Sequence, residues 1–184
     1  MDTRQQILQI SRRDVQARGY NALSFRELAK QIGIKSASIH YHFPTKGDLG
    51  AALARQYTED GAAYLSTLLQ TCTSERECLD QYAAIFRAAL ENQNRMCLCG
   101  ILSAEVEDLP PEVRLEVRRF NEANLDWLTE VLAKWRPELE DETRRRRALG
   151  IFSALEGAQL IARGSEDIAA FDLALQAYRE VGLL

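Results

Sequence analysis

Cys97 and Cys99 stand one residue apart in the stretch NRMCLCGIL, in a chain that has only four cysteines. Two thiolates could help to hold a soft metal such as zinc or copper(I). A thiolate could also react with an oxidant or an electrophile, and the nearby Arg95 and the start of a helix would favour that ionised form. The third interpretation is two small apolar side chains packed into a helix. Cys72 and Cys78 show no paired spacing and both histidines lie before residue 43, so no metal site is expected.

A second group of residues could contact the phosphates and base edges of DNA. The turn Gln31-Ile32-Gly33-Ile34 separates two short helical segments, and glycine permits the positive φ of a tight corner. Two short helices joined in this way form a helix-turn-helix. The second helix offers Lys35, Ser36, Ser38, His40 and Tyr41, which suit a DNA groove. Lys46 lies in the first turn of the following helix, where unpaired amides also favour a phosphate.

The spacing of apolar residues along the whole chain has the period of a helix. The helices that it predicts must position these residues. Ser24-Phe25-Arg26-Glu27 has the pattern of a capping box, so a helix is expected to begin at Ser24. No stretch alternates with the period of a strand, which predicts an all-α fold of about nine helices. The other helices are expected at about 3–18, 37–43, 45–70, 74–92, 96–107, 110–135, 141–163 and 168–181.

The charge is divided unevenly along the chain. Residues 1–50 hold eight Lys/Arg and four Asp/Glu, whereas residues 51–184 hold 15 and 23, for net charges of +4 and −8. A basic head on an acidic body suggests that the head meets a polyanion. A nucleoid-type or structural DNA protein would be basic throughout. No nucleophile–base pair or phosphate-cradling glycine loop is found, so neither an enzyme nor a catalytic residue is expected.

The N-terminus and the hydropathy indicate a cytoplasmic protein. MDTRQQILQISRRD has no basic-then-apolar signal pattern. No run approaches the roughly 18 apolar residues of a membrane span. In the cytosol the four cysteines are expected to be thiols rather than structural disulfides.

The segment ALSFRELAKQIGIKSASIHYHFPTKGDL, residues 22–49, closely resembles the N-terminal domain of the TetR family of transcriptional regulators. The matching parts are GY-ALSFRELA, the IGI turn, IHYHF and P-T-K-x-D-L. The resemblance implies a helix-turn-helix DNA-binding domain at residues 1–48 and a helical ligand-binding and dimerisation domain at 49–184. It also implies a homodimer that binds a palindromic operator, usually as a repressor, and leaves it when a small molecule enters the body.

The resemblance also assigns roles within the head. Tyr41 and Lys46 match phosphate contacts of the family, while Ser24 and Arg26 lie where the second helix touches the DNA backbone. His40 departs from the family, which most often has tyrosine there; it could pack, contact the backbone or act as a pH switch. The candidate DNA-binding residues are Ser24, Arg26, Lys35, Ser36, Ser38, His40, Tyr41, Thr45 and Lys46.

The eighth helix is apolar around almost its whole circumference, so it must be buried on both sides. In the family, the last two helices form a four-helix bundle across the dimer axis; the alternative is one domain that buries both faces itself. Candidate interface residues are Phe152, Leu155, Gly157, Ala158, Ile161, Phe171, Leu175 and Tyr178. Candidate walls of an effector pocket, which could equally be plain core, are Tyr82, Phe86, Leu90, Leu102, Phe120 and Trp127.

The stretch MCLCGILSAEVEDLPPEVR, residues 96–114, resembles a subgroup of the family whose sixth helix begins Gly-Cys-Leu. That subgroup includes repressors that respond to oxidants and electrophiles through this cysteine. Cys97 falls on its position, Cys99 has no counterpart, and Met96 replaces the usual glycine. Both cysteines are candidates for redox or electrophile sensing, with packing as the alternative.

The sequence therefore predicts a ligand-responsive transcriptional regulator. Its expected partners are a double-stranded DNA operator, a second copy of itself and an unidentified small-molecule effector, with no membrane and no cofactor. A transcriptional activator of the same family is the main alternative, and a small-molecule-modifying enzyme is another.

Overall fold

The computed structural model describes residues 2–184, which fold into α-helices and two short 3-10 turns without a strand. The expected all-α fold of nine helices is confirmed. The helices are α1 (Thr3–Arg18), α2 (Phe25–Ile32), α3 (Ser36–His42), α4 (Lys46–Thr71), α5 (Glu75–Glu91), α6 (Leu98–Ala104), α7 (Pro111–Trp135), α8 (Asp141–Gly164) and α9 (Ile168–Glu180). No helix in this described range is long and apolar enough to cross a membrane.

Local side-chain caps begin two of the three helices that carry the predicted DNA-binding residues, α2 and α4. The Ser24 Oγ accepts a hydrogen bond from the Glu27 amide at 3.4 Å, as the capping-box pattern predicts. Gly33 ends α2 in the left-handed region with φ 79°. At the start of α4, the Asp48 amide donates to the Thr45 Oγ1 and the Thr45 amide donates to the Asp48 carboxylate, both at 3.0 Å. Sequence-local bonds thus fix where α2 begins and ends and where α4 begins.

Two expected helix starts are wrong. α3 begins at Ser36 rather than at the expected residue 37, with Lys35 at the N-cap position and no side-chain cap. α6 covers Leu98–Ala104 instead of the expected 96–107. Before it, the Cys97 amide donates to a side chain of α8 rather than within a helix. After it, a 3-10 turn follows at Val106–Asp108.

The chain divides into two compact units. The first holds the residues up to Glu59 together with Leu98–Phe120, and the second holds Asp60–Cys97 together with Asn121–Leu184. These units do not follow the predicted division at residue 48, because α6 and the first part of α7 join α1 in one unit. The division into DNA-binding residues 1–48 and a body at 49–184 is functional, and it stays a prediction.

In the first unit, α6 and α7 are tied to the N-terminal helices through carboxylates. The Tyr20 amide donates to the Glu105 Oε2 at 2.6 Å. The Arg55 guanidinium pairs with the buried Glu116 at 2.7 Å.

In the second unit, α5 packs against α8 and α9, and α8 packs against α9. The Arg87 guanidinium joins α5 to Asp172 of α9 at 2.8 Å. The buried apolar residues of this unit include Leu79, Tyr82, Phe86, Leu128, Leu132, Ile151, Leu155 and Phe171.

Candidate DNA-binding surface and candidate effector site

α2 and α3 meet at the Gly33 corner and expose the residues predicted to contact DNA. Leu28 and Ala29 of α2 and Ile39 of α3 are buried, so they hold the two helices together. Tyr41 projects outward with 85% of its surface exposed. Arg26, Lys35, Ser36, His40 and Thr45 are also exposed, while Ser24, Ser38 and Lys46 are half-buried. This arrangement leaves hydroxyls, cations and an aromatic ring wholly or partly exposed at α2, α3 and the start of α4.

Lys46, at the start of α4, is positioned by an aromatic ring. Its Nζ lies 4.4 Å from the centroid of the Tyr20 ring. Burial lowers the pKa of Lys46, and the charge of Glu105 opposes that effect. Burial, followed by the charge of Glu112, raises the pKa of Tyr20 to about 12, so this tyrosine is neutral. A cation on a ring face keeps its charge available to a phosphate. An ion pair with a carboxylate would neutralise that charge.

His40 makes contacts within the protein. Its Nδ1 lies 3.3 Å from the Pro44 carbonyl oxygen, so that nitrogen donates when protonated. The ring also meets Phe25 edge to face, with centroids 4.7 Å apart. These contacts match the packing interpretation of this histidine.

An aromatic cluster forms in the second unit from some of the expected pocket residues. The Tyr82 ring lies 5.3 Å from that of Phe86 and 5.0 Å from that of Trp127, between centroids. The Tyr82 hydroxyl donates to the Asn124 side chain at 2.9 Å. Leu90 is buried in the same unit.

The two remaining pocket candidates, Leu102 and Phe120, are buried in the first unit. Phe120 stacks there on Tyr57, with ring centroids 5.6 Å apart. A cleft of about 200 Å³ also lies beside Trp127, in the second unit. It is lined by Ala62, Leu65, Ser66, Leu69, Ala123, Asp126, Trp127 and Glu130.

Cys97 is held in the interior of the second unit by α8. Only 3% of its surface is exposed. Its amide donates to the Gln159 Oε1 at 2.8 Å, and the Gln159 Nε2 donates to the Phe86 carbonyl at 2.7 Å. Gln159 thus links α8, α5 and the residue that precedes α6. Cys99 is also buried, in the first unit.

The cysteines are thiols in this structure. None of the four is in a disulfide, and the described part of the chain contains no cluster of three or more His, Cys, Asp or Glu side chains that could hold a metal ion.

A carboxyl of α8, that of Glu156, is buried three residues before Gln159. Burial raises the pKa of the Glu156 carboxyl to about 7, and Cys97 opposes part of that rise. Neither Glu156 oxygen is solvent-accessible or has a hydrogen-bond partner. Arg95, expected to favour the thiolate, donates instead to the Gln93 side chain.

Glu156 and Gln159 were not predicted as site residues, although the sequence contains a signal for them. They are two polar residues three apart in an otherwise apolar part of the eighth helix, and residues three apart share a helix face. Polar groups on a buried face need a partner or a function.

Five of the predicted interface residues are buried within the single chain, so their burial requires no partner. These are Phe152, Leu155, Ala158, Phe171 and Leu175, whereas Gly157 and Tyr178 are half-buried. Ile161 is 67% exposed, and Leu149, Leu160 and Leu173 are large apolar side chains that are more than half exposed. The exposed apolar surface of α8 and α9 is therefore different from the predicted set, with Ile161 common to both.

Comparison with known proteins identifies the same family as the resemblance seen in the sequence. Residues 7–53 match the sequence model of bacterial regulatory proteins of the tetR family. A TetR transcriptional regulator from Legionella pneumophila is 32% identical over 98% of this chain and 97% of its own, with a TM-score of 0.92. A TetR-family regulator from Agrobacterium tumefaciens is 31% identical over 96% of this chain and 95% of its own, with a TM-score of 0.89.

A more distant likeness concerns the fold alone. The reduced form of NemR from E. coli has 23% identity over 97% of this chain and 96% of its own, with a TM-score of 0.84. No curated protein sequence matches the chain significantly.

Proposed function

The chain belongs to the tetR family of bacterial regulatory proteins, and we propose that it is a repressor that binds a palindromic operator as a homodimer. The observation that carries this proposal is the helix-turn-helix of α2 and α3, which exposes Tyr41 and Lys35 on its outer side. The protein leaves the operator when an effector enters the body or when Cys97 is modified.

The head has the charge and the geometry that DNA binding requires. Its net charge is +4 over residues 1–50, so it is attracted to phosphates while the acidic body is not. Lys35 and Ser36 stand at the exposed start of α3, where a recognition helix contacts base edges with its N-terminal residues. Tyr41 and Lys46 contact the phosphates on either side of the groove.

Dimerisation uses the exposed side of α8 and α9. Leu149 and Leu160 of α8 are eleven residues apart, or about three turns, so they lie on one side of the helix. Ile161 and Leu173 add two more exposed apolar side chains. Large apolar side chains that are exposed on one side of a helix indicate an interaction surface. A second copy of the chain covers it, and the two-fold symmetry of that pair explains a palindromic operator.

The effector site lies in the interior of the second unit. The Tyr82, Phe86 and Trp127 rings give an apolar lining, and Cys97 lies among buried groups of the same unit. Modification of the Cys97 thiol would add bulk to a close-packed interior and force its neighbours to move. Cys99 is the bystander in this mechanism.

DNA binding is tested by fluorescence anisotropy with the intergenic DNA beside the gene, at several salt concentrations. Lys46→Ala should weaken operator and unrelated DNA about equally and lower the salt slope by about 0.9, the contribution of one phosphate contact. Lys35→Ala should instead change the sequence preference. Lys134→Ala, which removes an exposed cation of the body, is the matched control and should leave binding unchanged. An unchanged slope in Lys46→Ala would show that the proposed docking is wrong.

Release is tested by a gel shift with and without N-ethylmaleimide or peroxide. Cys97→Ser should abolish release, and Cys99→Ser should retain it. Release that neither substitution affects, or no release at all, would rule out the cysteine mechanism. Transcription from the adjacent promoter should rise when the gene is deleted; a fall would identify an activator instead.

A further inference from the structure

The acidic segment between α6 and α7 lies against the residues that follow α1 in the first unit. The Glu105 carboxylate accepts a hydrogen bond from the Tyr20 amide at 2.6 Å. It also fills the space beside Gly19, where an added Cβ would lie 1.9 Å from the Glu105 Oε1. Asp108 accepts a hydrogen bond from the Asn21 side chain at 3.3 Å. Three consecutive residues after α1 are therefore held by one short segment.

The Tyr20 ring in turn supports the cation at the start of α4. The Lys46 Nζ lies 4.4 Å from the centroid of this ring. Tyr20 is buried, and its ring fills the space beside Gly50, where an added Cβ would lie 2.8 Å from the Tyr20 Cε2. Lys46 and Gly50 are four residues apart in α4, so they share one face of that helix. The position of Tyr20 therefore determines where the Lys46 ammonium lies.

A carboxylate at this place has two opposite effects on DNA binding. Its negative charge repels the phosphates of DNA. Its position, however, holds the backbone of the residue on whose ring Lys46 lies. Its charge also opposes the burial that lowers the pKa of Lys46, so it favours the charged ammonium that a phosphate requires.

We propose that Glu105 is a positioning residue for operator binding, which acts through Tyr20 to hold the Lys46 ammonium where a DNA phosphate meets it. This inference rests on the proposed function, in which Lys46 contacts the DNA backbone. Glu105 does not touch the DNA in this arrangement. Its loss should therefore remove the contribution of Lys46 and leave the reading of bases by α3 unchanged.

The sign of the effect separates this role from a simple charge effect. If Glu105 acted on DNA only through its negative charge, Glu105→Ala would strengthen binding. A positioning role predicts weaker binding in spite of the lost repulsion. Glu107→Ala removes an exposed carboxylate of the same segment and is the matched control, which should bind DNA as well as the wild type or slightly better.

The test is a double-mutant cycle between Glu105 and Lys46 in the full-length protein. Fluorescence anisotropy gives the affinity for the intergenic DNA beside the gene and for an unrelated duplex of equal length, at several salt concentrations. Glu105→Ala should weaken binding to both DNAs about 5-fold. It should also lower the slope of log affinity against log salt concentration, by no more than the roughly 0.9 of one phosphate contact.

The background of Lys46→Ala is decisive for the proposal. In that background, Glu105→Ala should not weaken binding further, because the cation that it positions is gone. An equal weakening in both backgrounds would indicate a general structural effect and overturn the proposal, as would tighter binding in Glu105→Ala alone. If Lys46→Ala itself left the salt slope unchanged, the proposed docking on DNA would fail and this inference with it.

Glu105→Gln guards against a folding defect in the alanine variant. It keeps a side-chain oxygen that can accept the Tyr20 amide and removes the charge. It should therefore retain most of the affinity that Glu105→Ala loses. A glutamine variant that binds DNA as weakly as the alanine variant would contradict positioning through the Tyr20 amide.

Discussion

Replacing Glu156 by glutamine should stabilise the folded protein above pH 7 and have little effect near pH 4.5. The pKa of this carboxyl rises from 4.5 to about 7 because the side chain is buried. Between these two values the folded state holds a proton that the unfolded state has lost. By linkage, this group lowers the free energy of unfolding as the pH rises from about 4.5 to about 7, and the effect is constant above that.

The size of the effect follows from that interval. At about 1.4 kcal/mol per pH unit, ionisation of the buried carboxyl costs about 3 kcal/mol of stability by pH 8. Glutamine has nearly the same shape and no charge, so it avoids this cost. Its side-chain amide is a neutral polar group buried at the same place, which offsets about 1 kcal/mol. The expected net gain at pH 8 is therefore about 2 kcal/mol.

The assay is urea unfolding of the wild type and Glu156→Gln at pH 5, 6.5 and 8, monitored by circular dichroism. The two proteins are compared with the same slope of unfolding free energy against urea concentration. Glu138→Gln, which removes the same charge at an exposed position, is the control and should change stability by less than about 0.5 kcal/mol at every pH. If the wild type and Glu156→Gln kept a constant difference from pH 5 to 8, the carboxyl would not be the buried, proton-holding group described above.

Three further substitutions test the packing and the surfaces. Gln159→Leu should lower the free energy of unfolding in urea by about 2–3 kcal/mol, because it breaks two buried hydrogen bonds. Gln176→Leu, at an exposed glutamine of α9, is the control and should change that free energy little. Equal effects of the two substitutions would contradict the bridging role of Gln159. Ser24→Ala should lower the stability of α2 by about 1 kcal/mol in thermal unfolding, and an unchanged melting curve would show that this cap is not used. Ile161→Asp should give a monomer in sedimentation velocity at micromolar concentration, and an intact dimer would place the interface elsewhere.

The head could be predicted from the sequence because its structure is set by neighbours in the chain. The Ser24 cap bonds an amide three residues away, and Gly33 supplies its corner through its own φ. The predicted exposure of Lys35 and Tyr41 follows from the helical period alone and is confirmed. The contact of Lys46 with Tyr20 was not predicted, because it joins two segments whose approach depends on packing.

The body site was harder to predict for a physical reason. Cys97 and Gln159 are 62 positions apart, and their bond depends on how α8 lies against α5. The sequence identified the cysteine but assigned its electrostatic partner to the neighbouring Arg95, which instead bonds Gln93. Buried polar residues of an apolar helix carry the information that was overlooked.

The exposed apolar surface of α8 and α9 also differs from the expected one. An all-round apolar helix offers no periodicity from which its inner and outer sides could be told apart. Phe152 and Leu155 face the protomer's own core, and Ile161 faces outward. Only the packing of α5 and α9 on α8 decides which side remains for a partner.

A footprint of the protein on the intergenic DNA beside its gene tests the central claim most directly. A homodimer that inserts one α3 per half-site should protect two symmetric half-sites, with centres about 34 Å or a multiple of that distance apart. N-ethylmaleimide treatment should remove the protection in the wild type. A single unsymmetrical site, or uniform protection without sequence preference, would contradict the account of a two-fold repressor that reads an operator through its helix-turn-helix.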